Sequence, residues 1–113
     1  MTKNELINQI NSTLLFSNVS KVILFGSYAK GTQTADSDID LLVVTKDNFI
    51  PASFAEKMQI KIKIAKSLYS IRKHTDIDLI VYTKPMFEKF IELDSSFKRE
   101  IFNTGTIIYE GSN

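Results

Sequence analysis

No cysteine occurs among the 113 residues, which excludes a disulfide framework, a thiolate metal site and a cysteine nucleophile. No apolar run approaches the roughly 18 residues that a membrane-spanning helix needs. The N-terminus, MTKNELINQI, is polar and lacks the unbroken apolar segment of a signal peptide. From these absences a cytoplasmic protein with no membrane association is expected. Charge of one sign is missing too: 14 Lys and Arg against 13 Asp and Glu leave a net charge of +1. That is too little for the strong field of a dedicated nucleic-acid binder, so no direct DNA binding is expected. Repeats, low-complexity stretches and linker-like segments are absent, and one domain over residues 1–113 is expected. His74, the only histidine, follows a basic stretch at a predicted helix C-terminus, where a cation suits the helix dipole.

What is present is the composition of an ordinary globular protein, 43% hydrophobic and 24% charged. Thr2 and Glu5 have the spacing of a capping box, and Leu6, Ile7, Ile10 and Leu14 follow at helical intervals. Residues 19–25 (VSKVILF) form a short, partly β-branched run that ends at Gly26 and reads as a strand. Residues 39–44 (IDLLVV) and 77–82 (IDLIVY) read as two more, with apolar residues on both faces as in strands covered on both sides. Within residues 51–73, MQIKIKI alternates like a strand, but length and the lack of a turn favour a helix opened by Pro51. Phe54, Met58, Ile62, Ala65 and Tyr69 fall on one stripe of that helix. A short helix is expected over 85–93, another capped by Asp94 or Ser95 and ending near Gly105, and an edge strand over 107–109. The order predicts an α/β (α+β) fold, a mixed central sheet flanked by helices.

Three features carry chemistry together. Gly26-Ser27 stands where the first strand ends; glycine lets backbone amides approach a ligand closely, and the serine hydroxyl adds a donor. Asp38 and Asp40 head the second strand, where residues two apart share a face with Cα atoms about 6.5–7 Å apart. Two such carboxylates repel unless protonated or bridged by a cation. Asp78 heads the third strand, and reaches the same spot if that strand lies beside the second. Three oxygen donors without His or Cys suit a hard cation, Mg²⁺ above all. Each feature alone has an ordinary reading as a turn, a cap or an exposed strand end. Asp36 and Ser37 are read as shaping the turn before Asp38, Asp76 as the turn into the third strand, and the aromatic residues as core and interface material.

Residues 24–44 (LFGSYAKGTQTADSDIDLLVV) resemble the signature of the DNA polymerase beta-like nucleotidyltransferase superfamily: Gly-Ser, ten intervening residues, then Asp-x-Asp, without a gap. Gly26 to Gly31 looks like the family's Gly-Ser-x-Ala-Arg-Gly element, with Lys30 where arginine is commoner. Asp78 to Val81 resembles the strand bearing the third carboxylate, and residues 97–110 are similar to the ending of small bacterial members. The resemblance implies a minimal nucleotidyltransferase, the kind paired with a HEPN-domain toxin in bacterial two-gene modules. It implies in-line attack by an acceptor hydroxyl on the α-phosphorus of ATP, with two Mg²⁺ ions held by Asp38, Asp40 and Asp78. Gly26 and Ser27 would hold the β- and γ-phosphates with help from Lys30, and Asp78 would serve the acceptor. The acceptor implied is a tyrosine of the HEPN toxin, silenced by AMP. The alternatives are a non-catalytic antitoxin that acts by binding, and nucleotidyl transfer to a small molecule such as an aminoglycoside; self-association is left open. The basic run Lys57, Lys61, Lys63, Lys66, Arg72 and Lys73 is either a solvated helix face or a surface for an anionic partner.

Overall fold

The structure, a computed structural model, describes residues 2–15 and 17–111. Helix α1 (Lys3–Leu14) opens at Thr2, whose hydroxyl accepts from the Glu5 amide at 3.1 Å, and buries Leu6, Ile10 and Leu14. Strand β1 (Val19–Phe25) leads into a five-residue helix α2 (Gly26–Lys30), closed by Gly31 in the left-handed region. Strand β2 (Ile39–Thr45) is followed by α3 (Phe54–Ser67) and α4 (Tyr69–Arg72), then by β3 (Ile77–Tyr82). Helices α5 (Lys84–Leu93) and α6 (Ser96–Thr104) precede β4 (Thr106–Glu110).

The four strands form one mixed sheet in the order β3-β2-β1-β4. β1 runs antiparallel to β2 and β4, whereas β2 and β3 are parallel. A parallel neighbour requires a crossover, and α3 with α4 supplies it. The mixed α/β architecture expected from the element order is therefore present. Alternate residues of β2 feed two cores: Ile39, Leu41 and Val43 join α1, α3 and α4 on one face, and Leu42 and Val44 join Phe87, Phe90 and Ile101 on the other. No helix among the described residues is long and apolar enough to cross a membrane.

The expectations for the long helix need correction. The long helix over 51–73 begins at Phe54, capped by Ser53, and breaks at Leu68. Its core-facing stripe is Ile64, Leu68 and Ile71, all buried, with Ile60 partly buried, while Phe54, Ile62 and Tyr69 face solvent at 77%, 44% and 64% exposure. The segment carries two apolar stripes of helical period, about 120° apart around the axis; the aliphatic one packs on the sheet. β3 is the edge strand beside β2, with Leu79 and Val81 buried on one face and Ile80 and Tyr82 partly buried on the other. At the start of α6 the cap is Ser95, which accepts from the Lys98 amide at 3.1 Å, while Asp94 takes a left-handed turn that ends α5.

Candidate active site

The antiparallel pairing of β1 with β2 sets Phe25 opposite Asp40, so the turn after β1 lies against the start of β2. Gly26 makes that turn with φ of +70°, a conformation that costs an L residue about 1–2 kcal/mol. The Asp40 carboxylate packs against the bare Cα of Gly26, in the space that any side chain there would fill. Two separate constraints therefore require glycine at this position. Downstream, the Ser27 carbonyl accepts from the Thr32 amide at 3.0 Å, and Lys3 Nζ donates to the Ala29 carbonyl at 3.1 Å. These bonds fix α2 between the sheet and α1.

Parallel pairing of β2 with β3 sets Asp40 beside Asp78 in register. Asp40 alternates in phase with Leu42 and Val44, and Asp78 with Ile80 and Tyr82, so both carboxylates occupy the α5/α6 face at the open end of the sheet. Asp38 shares that face by the same alternation, one step beyond the strand. Ser37 closes the preceding turn, its hydroxyl accepting from the Thr34 amide at 2.8 Å. The Asp76 carbonyl accepts from the Ile39 amide at 2.9 Å, which carries the pairing of β2 with β3 one residue beyond the strand. Asp38 and Asp78 are exposed and Asp40 is half-buried.

Burial raises the pKa of Asp40 above its ordinary 3.8, and the negative charges of Asp78, Asp38 and Glu100 raise it further. Burial is the largest single cause, and the rest comes from acids in the same neighbourhood. Glu100 is the member that sequence reading missed. It sits on α6, and its Oε1 lies 3.7 Å from Lys30 Nζ, so α6 brings a fourth acid and engages the one cation of the Gly-Ser element. No local motif announces it, because its approach depends on how α6 packs on the sheet.

The carboxylates fit a hard dication in chemistry and in the face they share. They are not gathered tightly: among the described residues no three His, Asp or Glu side chains stand close enough to hold one ion as they are. Carboxylates near one another repel, and a bound dication would offset that repulsion. The site is open surface. A cavity of 660 Å³ lies at the other end of β2, beside Thr45 and Asp47, and none of the three acids lines it. His74 lines a different cavity together with Asn8 and Ser12 of α1, and none of the three acids lines it.

Residues 5–113 match the sequence pattern of the family described as Polymerase beta, Nucleotidyltransferase. Among curated relatives, a Methanocaldococcus jannaschii protein provisionally named a protein adenylyltransferase is 39% identical over 90 residues, covering 80% of this chain and 86% of its own. A second from that organism, with the same provisional name, is 30% identical over 93% of this chain and 92% of its own. Solved structures share the fold at lower identity. A toxin–antitoxin complex with AMP-PNP matches at a TM-score of 0.55 and 21% identity, covering 99% of this chain and 76% of that one. A Sulfolobus solfataricus protein described as a nucleotidyltransferase matches at 0.53 and 20%, covering 94% and 75%. With the Gly-Ser turn set against paired strand-head acids, the chain belongs to the polymerase beta nucleotidyltransferase family and is a nucleotidyltransferase.

Proposed function

We propose that this chain transfers AMP from Mg²⁺-bound ATP to a tyrosine hydroxyl of a HEPN-type toxin and so acts as its antitoxin. The observation that carries the reading is the register of Asp40 with Asp78, beside a glycine turn that leaves room for the Asp40 carboxylate. Support for a protein acceptor comes from the relatives provisionally named protein adenylyltransferases, and support for a toxin partner from the fold shared with toxin–antitoxin structures.

The acceptor oxygen forms a bond to the α-phosphorus as the bond to pyrophosphate breaks, and the acceptor's proton passes to a carboxylate oxygen of Asp78. Asp38, Asp40 and Asp78 would hold two Mg²⁺ ions, which supply charge neutralisation for the entering and leaving oxygens. Backbone at Gly26 and the Ser27 hydroxyl hold the β- and γ-phosphates, and Lys30 adds a positive charge at their side. The open site leaves the acceptor's half to another protein. Positioning and electrostatics carry the reaction, and no covalent intermediate on this chain is required.

Incubation with the HEPN-type partner and ATP labelled at the α-phosphate tests the reading. The label should move to the partner and add the mass of AMP, and Asp38→Asn should abolish both changes. Label arriving from the γ-phosphate instead would mean a kinase. Full suppression of toxicity by Asp38→Asn, with no change in partner mass, would establish inhibition by binding alone.

A further inference from the structure

The second apolar stripe of α3 lies largely outside the core: only Ala65 packs against it, and Met58 is half-buried. Phe54, Met58 and Ile62 follow one another at four-residue steps, and Tyr69 continues the line across the break at Leu68. Phe54 and Tyr69 are 77% and 64% exposed, and Ile62 is 44% exposed. At about 1.5 Å per residue the stripe is roughly 22 Å long, the reach of four turns of a facing helix. Side chains of this size at helical period, left in water, mark a surface that another element covers.

Charge says which kind of element. From Lys57 to Lys73 there are six cations and no acid. Lys57, Lys61, Lys63 and Lys66 make no ion pair among the described residues. A second copy of this chain would set these lysines against each other across a two-fold axis, and like charges across an interface are costly. A polyanion would satisfy the lysines but gain nothing from Phe54, Ile62 and Tyr69. An amphipathic helix with an apolar seam and acidic flanks satisfies both.

We propose that the outer face of α3 is a docking surface for an acidic amphipathic helix of the protein partner; the inference rests on the protein-acceptor reading above. The inner side of α3 packs through Ile64 on the sheet face that buries Leu41 and Val43. The carboxylates occupy the other face, so docking leaves the site uncovered. The edge strand β3 carries Asp78 at its head and joins the core under α3 through Leu79 and Val81 on its other face. A partner anchored on α3 can therefore reach round that edge to present its hydroxyl.

The test uses the 113-residue chain and the HEPN-type partner of the transfer assay, with affinity measured at low and high salt. Two variants probe the two halves of the surface: Phe54→Ser with Ile62→Ser, and Lys57→Glu with Lys61→Glu and Lys66→Glu. Each should weaken the complex about tenfold or more, and the charge variant should flatten the salt dependence. Both should bind Mg²⁺ with AMP-PNP as the wild type does, which separates docking from the site. Wild-type affinity in both variants overturns the docking surface and leaves the transfer reading standing. If the wild type binds no such partner, both readings fall. Self-association of the wild type that Phe54→Ser with Ile62→Ser abolishes assigns the face to a second copy. RNA binding lost only in the charge variant assigns it to nucleic acid. Either of those results overturns the proposal.

Discussion

Gly26 and Asp40 cannot both keep their places if either grows: a Cβ built on Gly26 lies 3.0 Å from Asp40 Cγ and nearer still to a carboxylate oxygen. Gly26→Ala therefore forces the turn or the acid to move, on top of about 1–2 kcal/mol for a left-handed alanine. A fall in Tm of a few degrees should accompany a loss of AMP transfer much larger than stability explains. Wild-type transfer by Gly26→Ala would show that the contact has no part in the chemistry.

Stability without metal should depend on pH through Asp40. A carboxyl whose folded pKa lies above its unfolded value binds its proton more tightly in the folded chain. It favours the fold below the ordinary 3.8, and that advantage is lost as pH rises through the raised folded pKa. Asp40→Asn removes the titration. Denaturant unfolding in chelator should then show the mutant gaining on the wild type as pH climbs from 3.8 to neutrality, with the difference flat thereafter. A mutant that loses ground over that interval would mean the ionised Asp40 is stabilised by contacts that outweigh its acidic neighbours.

Mg²⁺ with AMP-PNP should raise the Tm of the wild type by ligand linkage and leave that of Asp40→Asn nearly unmoved. Equal shifts in the two proteins would place the metal and nucleotide elsewhere.

Ser27→Ala should weaken transfer by about 1–2 kcal/mol, the scale of one hydrogen bond to a charged phosphate. Initial rates at several ATP concentrations would separate this from Asp38→Asn, for which no rate should remain. Parity between the two substitutions would contradict the division of roles between phosphate turn and acids.

Glu100→Gln should free Lys30 and take one negative charge from the neighbourhood of Asp40. The effect passes through an exposed pair at 3.7 Å, so AMP-PNP affinity should rise only about 1.5–5-fold. In a Lys30→Met background the gain should shrink. An undiminished gain there would mean that Glu100 acts on the phosphates through its field alone.

The sequence was most informative where local rules suffice. The caps at Thr2 and Ser95, the strand runs ending at Gly26 and beginning near Asp38 and Asp78, and the mixed sheet all follow from spacing and residue type. It misled where two answers met the same rule. Both stripes of α3 have helical period, and only the sheet selects Ile64 over Ile62. Glu100 was invisible for a related reason, since its approach to Lys30 joins positions 70 residues apart through packing alone.

The two halves of the site differ in what the chain must do to build them. Gly26 meets Asp40 through adjacent antiparallel strands, joined by α2 and a short loop. Asp78 meets Asp40 only after residues 46–76 have crossed over and α3 and α4 have packed on the sheet. Parallel pairing of this kind closes a long loop before any contact offsets its entropy, and it tends to form late in folding. During refolding, the Gly26-Ser27 turn should therefore form against Asp40 before Asp78 arrives. Recovery of transfer activity would then time the closure of the crossover rather than the collapse of the chain.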